Sequence, residues 1–460
     1  MLEANAQTQA HVASHIQIPG PRGRLLTGSL HELRHDLLTL YMDAWRTYGD
    51  IVRFRLGPTQ VYLIVHPDYI QQVLQDNKDK YCKGSSYETF QKMLGTGLAT
   101  SEGALWERER RLIQPMFVPR QVGSMLDVMS ETAAAMLERW QRSAETGEVL
   151  QMGPEMMRVT MSIIARTMFS IDISDMIATT APALRTVIDF LYRRVISIVR
   201  WPLALPLPAH RRFHQSMHIL DTIVYGLIED RRRDSQPRND LLDMFLRAQD
   251  AETGESMSDK QVRDEVLTIF FAGHETTANA LTWTWYLLSQ HPEVEAGVHA
   301  EVDQVLAGRA PTYADLAELK YTKMVIDEAI RLYPPVYIIA RQTVVEDVIG
   351  GYRLPPGSMV TISKYVTHRH TDFWEDPERF DPERFTPERS KARAKYAYIP
   401  FGAGPRRCIG YNFATMEAQL IIAMVAQRYK LRLVPGHPVK PKAAATLQPY
   451  YGLPMTLHPR

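Results

Sequence analysis

Apolar and polar residues first fall into a regular pattern near residue 50. Val52, Phe54 and Leu56 alternate with Arg53 and Arg55, the period of a half-buried strand. Gly57-Pro58 supplies a turn and Val61 to Val65 a second apolar run, so a β-hairpin is expected. Beyond it the period becomes helical. Met125, Val128, Met129, Ala133, Met136, Leu137 and Trp140 form one stripe, with Asp127, Glu131, Glu138 and Arg139 opposite. The methionines of that stripe read as core packing. A longer helix opens at Ser258 with Gln261 placed for a capping box, and it runs to about His291, where Pro292 stops it. Tyr411 to Tyr429 reads as a further helix, and prolines with short strands return after Pro334. The fold class expected is mainly α with a small β portion.

Length and composition narrow this picture. The 460 residues, 45% of them hydrophobic, support a sizeable core. No internal repeat or low-complexity linker divides the chain, and Ile18-Pro19-Gly20-Pro21 is a stiff entry between a polar tail (1–17) and a single domain (18–460). Lys and Arg total 53 against 52 Asp and Glu, a balance that argues against nucleic-acid binding. The two cysteines, Cys82 and Cys408, exclude a disulfide framework and fit a reducing compartment. Met1 to Gln17 lacks the basic start and apolar run of a signal peptide. No run of about 18 apolar residues reads as a membrane anchor. A cytoplasmic protein is expected.

Chemistry concentrates in three places. Phe401-Gly402-Ala403-Gly404-Pro405-Arg406-Arg407-Cys408-Ile409-Gly410 specifies a tight loop ahead of a helix. A cysteine near a helix N-terminus is biased toward the thiolate. With Phe401 as a shield it suits a single ligand to haem iron, and the bland alternative is a buried structural cysteine. Zinc or an iron–sulfur cluster is set aside, because no second cysteine is near.

In the middle of the long helix, Ala272-Gly273-His274-Glu275-Thr276-Thr277 puts Ala272, Gly273 and Thr276 together. Small residues there admit a flat macrocycle and a diatomic ligand, and the Thr276 hydroxyl can bond the Ala272 carbonyl. Glu275 beside Thr276 can relay protons. The alternative is a small-residue helix-packing face. His274 reads as an ordinary polar residue and Thr277 as structural. Glu328 and Arg331 sit on a helix ending at Pro334-Pro335, with Arg384 as a further partner if the pair is buried. Trp106, Arg110, Arg341 and Arg406 carry donors suited to carboxylates.

Together these segments resemble the cytochrome P-450 family, the haem-thiolate monooxygenases. The likeness runs through Ile18 to Pro21, Trp106-Glu107-Arg108-Glu109-Arg110, Ala272 to Thr276, Glu328-Ala329-Ile330-Arg331, Pro382-Glu383-Arg384-Phe385, Phe401 to Gly410, and Pro449 to Pro454. The resemblance implies haem b between the long central helix and the cysteine loop, with Cys408 as axial ligand. It implies Thr276 as the oxygen-activating hydroxyl, Glu275 as its acid, and Glu328, Arg331 and Arg384 as a structural triad. Trp106, Arg110, Arg341 and Arg406 match propionate contacts. One departure is His370, where many relatives carry Asp after His-Arg.

The implied reaction inserts one atom of O₂ into a substrate by hydroxylation or epoxidation, with electrons from a separate ferredoxin or flavodoxin and its reductase. Family position puts Tyr87, Phe90, Leu98, Phe271, Val336, Ile338 and Tyr451 near substrate, and their apolar character suits a lipophilic compound such as a fatty acid, terpenoid or steroid. Arg111 and Arg407 are candidates for docking an acidic electron donor. Ile196 to Pro208, with Trp201 and Leu203, reads as a helix–loop–helix over the substrate channel or as a membrane-touching stretch. A soluble, bacterial-type member is expected.

Overall fold

The computed structural model describes residues 17–460 except 198, 235 and 250–253, so the polar tail lies outside the described residues save for Gln17. The chain forms two compact units that interleave along the sequence. One takes the chain up to Tyr87 together with Val336–Arg379 and Lys391–Cys408; the other takes Glu88–Pro335, Phe380–Ser390 and Ile409–Arg460.

The first unit is built on a sheet. Its strands are β1 (Ile51–Leu56), β2 (Thr59–Ile64), β3 (Tyr81–Cys82), β4 (Ile338–Thr343) and β7 (Met359–Ser363), with β5 (Asp347–Ile349) and β6 (Tyr352–Leu354) as a separate hairpin. The five-stranded order is β1-β2-β7-β4-β3. The expected hairpin is present, with Val52 opposite Leu63 and Phe54 opposite Val61. Gly57 turns it at a φ of 61°, a conformation glycine adopts without strain. β2 then pairs parallel to β7, Val61 opposite Met359, a contact between segments far apart in the chain. Ile51, Tyr62, Ile64, Val360 and Ile362 fill one side of the sheet. Helix α1 (Leu37–Tyr48) packs on β1.

The second unit is helical. Its main helices are α2 (Gly103–Ile113), α3 (Leu126–Thr146), α4 (Met152–Phe169), α5 (Ile177–Val195), α6 (Pro208–Arg233), α7 (Asp259–Gln290), α8 (Lys320–Leu332) and α9 (Tyr411–Ala426). On α3 the predicted stripe is the buried face: Met129, Ala133, Met136, Leu137 and Trp140 are all sealed from solvent. α7 is the long central element, 32 residues and therefore about 48 Å at the α-helical rise. It is buried on nearly every side and packs most extensively along α4.

Three local expectations are refined. Ser258 caps α7 by accepting the Gln261 amide at 3.2 Å, but the Gln261 side chain reaches Glu109 Oε1 at 2.9 Å, so only half of the capping box forms. α9 ends at Ala426, and Tyr429 opens strand β8 (Tyr429–Leu433) instead of closing the helix. β8 pairs with β11 (Pro454–Pro459), while β9 (Pro441–Ala443) and β10 (Leu447–Pro449) form a hairpin. His274, expected to be an ordinary polar residue, is buried on α7 with only 2% exposure. Among the described residues no helix is long and apolar enough to cross a membrane. Val199 and Trp201 are exposed in the stretch whose residue 198 lies outside the description.

Candidate active site

The cysteine loop belongs to the sheet-based unit and is pinned from below. Gly402 and Gly404 have φ of 73° and 66°, so the backbone doubles back and the Cys408 amide donates to the Phe401 carbonyl at 2.9 Å. A Cβ on Gly404 would lie 2.0 Å from the Leu74 carbonyl oxygen, which makes glycine a steric requirement there. His368 Nε2 accepts the Ile399 amide at 3.1 Å, and Lys364 Nζ donates to the Pro400 carbonyl at 2.8 Å. Lys364 is a buried cation that the sequence did not flag. Burial pulls its pKa down to about 7, with Cys408 acting against that shift and Arg341 reinforcing it. Arg341, on β4, is half-buried and donates to the Ala340 carbonyl at 2.8 Å. Arg406 and Phe401 are half-buried on the loop, and Cys408 and Arg407 are exposed.

The helical unit holds the Ala272 to Thr277 run. Thr276 Oγ1 donates to the Ala272 carbonyl at 2.8 Å, the bond its spacing allows. Ala272 is exposed although it lies mid-helix. Gly273 points elsewhere: a Cβ there would sit 2.5 Å from Ile164 Cδ1, so close packing of α4 on α7 is the reason for glycine visible here. Glu275 is buried at 6% exposure, and its Oε1 accepts the Thr446 hydroxyl at 2.6 Å. Its Oε2 is buried with no hydrogen-bond partner among the described residues, and burial raises its carboxyl above the usual range. His274 Nδ1 meets the Phe270 carbonyl at 2.6 Å, and burial pushes the imidazole down to about 4, so it is neutral at physiological pH. Thr277 donates to the Gly273 carbonyl at 3.2 Å.

Glu328, Arg331 and Arg384 come together, all buried. Arg331 makes two hydrogen bonds to Glu328, and Arg384 Nε lies 3.4 Å from Glu328 Oε1. The Asp381 amide also donates to that oxygen at 2.9 Å. Trp106 and Arg110 are half-buried one turn apart on α2, with Arg110 Nε donating to Gln114 at 3.2 Å.

The substrate candidates divide between the units. Tyr87, Val336 and Ile338 belong to the first, Val336 exposed and the other two half-buried. Phe90, Leu98 and Phe271 join the helical core, while Tyr451 is exposed with its ring 4.8 Å from that of Tyr450. Three buried acids in the helical unit escaped the sequence reading. Glu109 and Glu265 are both fully buried neighbours, raised by desolvation, with Ser101 donating to Glu109 at 2.7 Å and the Leu98 amide to Glu265 at 3.1 Å. Glu417 on α9 is fully buried near Thr277, and desolvation holds it well above the carboxylate range. Its signal was legible in principle: a lone acid in the apolar run Met416 to Ala426.

A family model described as Cytochrome P450 matches residues 18–453. Curated relatives include a Streptomyces melanosporofaciens protein named cyclooctatin synthase, 40% identical over 88% of each chain. Cyclooctat-9-en-7-ol 5-monooxygenase of the same organism is 39% identical over 86% of this chain and 85% of its own. Pentalenene oxygenase of Streptomyces avermitilis is 35% identical over 88% of this chain and 90% of its own. Among solved structures, the cytochrome P450DA haem domain matches with a TM-score of 0.88 at 28% identity, covering 96% of this chain and 98% of that one.

The chain belongs to the cytochrome P450 family. It is a monooxygenase, and its cofactor is haem b. The residues present fit that group. One cysteine stands on a loop of fixed backbone, half-buried arginine and tryptophan side chains carry donors of the kind that bind carboxylates, and an orphaned acid oxygen accompanies an alcohol on α7.

Proposed function

We propose that this enzyme places one atom of O₂ into a lipophilic, terpenoid-type substrate by hydroxylation or epoxidation, with electrons from a separate ferredoxin or flavodoxin and its reductase. The observation that carries the reading is the acid–alcohol pair on α7: the Thr276 hydroxyl bonded to the Ala272 carbonyl, beside Glu275 with its unpartnered Oε2. When bound, the haem supplies oxygen binding and reductive activation.

The chain's residues take the supporting tasks. Cys408 gives the thiolate ligand, and Phe401 keeps water from the sulfur. Trp106, Arg110, Arg341 and Arg406 bind the propionates, and Ala272 keeps the helix surface low, with Gly273 letting α4 pack closely behind it. Glu275 holds a proton at its carboxyl, and Thr276 orients the path from it. Glu328, Arg331 and Arg384 form the bracing triad. Residues 18–460 act as one functional domain in the cytoplasm.

Tyr87, Phe90, Leu98, Phe271, Val336, Ile338 and Tyr451 meet the substrate. Their apolar and aromatic character supports a lipophilic ligand, and the terpenoid class is supported by relatives named for cyclooctat-9-en-7-ol and pentalenene. Exposed Arg111 and Arg407 favour an acidic electron donor. With a ferredoxin as donor, Arg407→Glu is expected to slow electron transfer and weaken its salt dependence; an unchanged rate and slope reject that docking role.

The deciding experiment is the spectrum of the reduced protein with carbon monoxide, beside Cys408→Ser. A strongly red-shifted Soret band in the wild type, lost in the variant, supports thiolate ligation. A terpenoid panel then follows by Soret shift. Shifts only with small polar compounds would remove the lipophilic reading.

A further inference from the structure

Glu275 is held by a residue 171 positions away in the sequence. The Thr446 hydroxyl donates to Glu275 Oε1 at 2.6 Å, a length typical of a hydroxyl bonded to a carboxylate oxygen. The same hydroxyl accepts Asn279 Nδ2 at 3.0 Å. All three side chains are buried, with exposures of 6% for Glu275, 3% for Thr446 and 5% for Asn279, so water does not compete.

A threonine hydroxyl has one proton and two acceptor sites. The Asn279 amide fills one acceptor site, and Glu275 Oε1 is the acceptor that the hydroxyl proton meets among the described residues, so that proton is directed at Glu275. Oε1 is therefore an acceptor in either charge state of the acid, and any proton Glu275 carries sits on Oε2. That oxygen is the one with no partner among the described residues.

The hairpin bearing Thr446 is itself fixed. Leu447 donates its amide to the Pro335 carbonyl at 2.9 Å and accepts Trp283 Nε1 on its own carbonyl at 3.0 Å. Tyr192 donates to the Ala443 carbonyl at 2.8 Å. Trp283 in turn stacks on Tyr333 with ring centres 3.9 Å apart. Glu275, Asn279 and Trp283 follow one another at four-residue steps, a single stripe of α7, and each contacts the hairpin tip.

We propose that Thr446 is a positioning residue for Glu275: clamped by Asn279 and the Trp283-anchored hairpin, it fixes Oε1 as acceptor and leaves Oε2 as the oxygen that gives up and regains a proton. This rests on the reading of Glu275 as the acid of oxygen activation. In each cycle Oε2 passes one proton along the path that Thr276 orients and regains one that originates in bulk solvent, so Glu275 ends as it began, while Oε1 keeps its bond to Thr446. The other groups acting on Glu275 are Asp189 and Arg185 of α5, which oppose each other, and its neighbour His274 is neutral.

The test uses haem-loaded wild type, Thr446→Val, Thr446→Ser and Glu275→Gln. The infrared carboxyl band that disappears in Glu275→Gln is titrated with pH. Thr446→Val keeps the shape and loses the donor, so proton affinity at Glu275 is expected to rise about tenfold. Thr446→Ser is expected to restore it. Peroxide released per NADPH, with a surrogate ferredoxin pair as electron source, is measured alongside.

A titration midpoint in Thr446→Val equal to that of wild type, with peroxide release altered in Glu275→Gln, overturns the clamp and leaves the acid's role standing. Peroxide release unchanged in Glu275→Gln overturns the acid's role and the proposal with it. A general structural defect would not be reversed by serine, so failure of Thr446→Ser to restore the midpoint also counts against the clamp.

Discussion

Arg331 holds Glu328 through two parallel hydrogen bonds, Nε to Oε2 at 2.6 Å and Nη2 to Oε1 at 2.8 Å, with both side chains fully buried. On a helix surface such an i,i+3 pair contributes only a few tenths of a kcal/mol. Sealed inside, the balance is different, because removing one partner takes the two-bond ion pair from the other charge at a place that water does not reach. Arg331→Met or Glu328→Leu is expected to reduce the unfolding free energy by about 3–5 kcal/mol. Guanidinium unfolding of the two variants checks this, and a loss below about 1 kcal/mol would mean that the pair behaves as a surface bridge.

The two glycines of the cysteine loop differ in what surrounds them. Both have positive φ, but a Cβ on Gly404 meets the Leu74 carbonyl at 2.0 Å while one on Gly402 meets nothing nearer than Ile339 Cδ1 at 3.8 Å. Gly402→Ala is expected to carry only the conformational penalty, about 1–2 kcal/mol. Gly404→Ala must also displace backbone, so it should lose much more of the red-shifted carbon monoxide band. Equal losses in the two variants would refute the steric account.

Gly273 tests helix packing against helix propensity. Alanine gains about 1 kcal/mol over glycine in a helix interior, while overpacking costs about 1–3 kcal/mol. With Ile164 Cδ1 at 2.5 Å from the added carbon, Gly273→Ala is expected to be neutral to destabilising. Ile164→Val removes that δ-carbon, so the double variant should be more stable than the sum of the single effects. Strict additivity in a double-mutant cycle would show that the two positions do not touch.

Acid sensitivity has an identifiable source in His274. Its folded pKa is about 4, below the 6.5 of an unperturbed imidazole, because burial disfavours the charged ring. The unfolded chain therefore takes up the proton first as pH falls. The stability tied to the neutral ring is complete above about pH 6.5 and is lost by about pH 4, roughly 3 kcal/mol in all. His274→Gln should flatten the stability curve across that window by a similar amount. Part of the slope should remain, since His299 is also pushed down to about 4 by burial. An unchanged curve in the variant would assign the acid sensitivity to other groups.

Much of the site's chemistry was legible as local spacing. The Thr276–Ala272 bond joins residues i and i−4 of one helix, and the Glu328–Arg331 pair joins i and i+3, so helical geometry alone brings them within reach. The β1–β2 hairpin likewise followed from alternation on either side of a short turn, and the buried stripe of α3 from its period. The C-terminal limit of α9 was less legible, because Tyr429 begins a strand whose partner, β11, lies at the end of the chain.

The sequence by itself marked the candidate residues for the chemistry and the neighbours within a turn that geometry brings to them. Only the tertiary structure decided which polar groups are buried and by what they are held. The Thr446 bond to Glu275, the Arg384 contact with Glu328, the Lys364 bond to Pro400 and the His370 bond to Asp50 at 2.9 Å all join separate segments. The physical reason is that a periodic pattern records which face of an element avoids water, whereas the partner of a buried donor depends on how distant elements pack. Thr446 looks like any loop threonine until the Trp283-anchored hairpin sets its hydroxyl 2.6 Å from Glu275, and desolvation then turns an ordinary pair of polar side chains into a directional one.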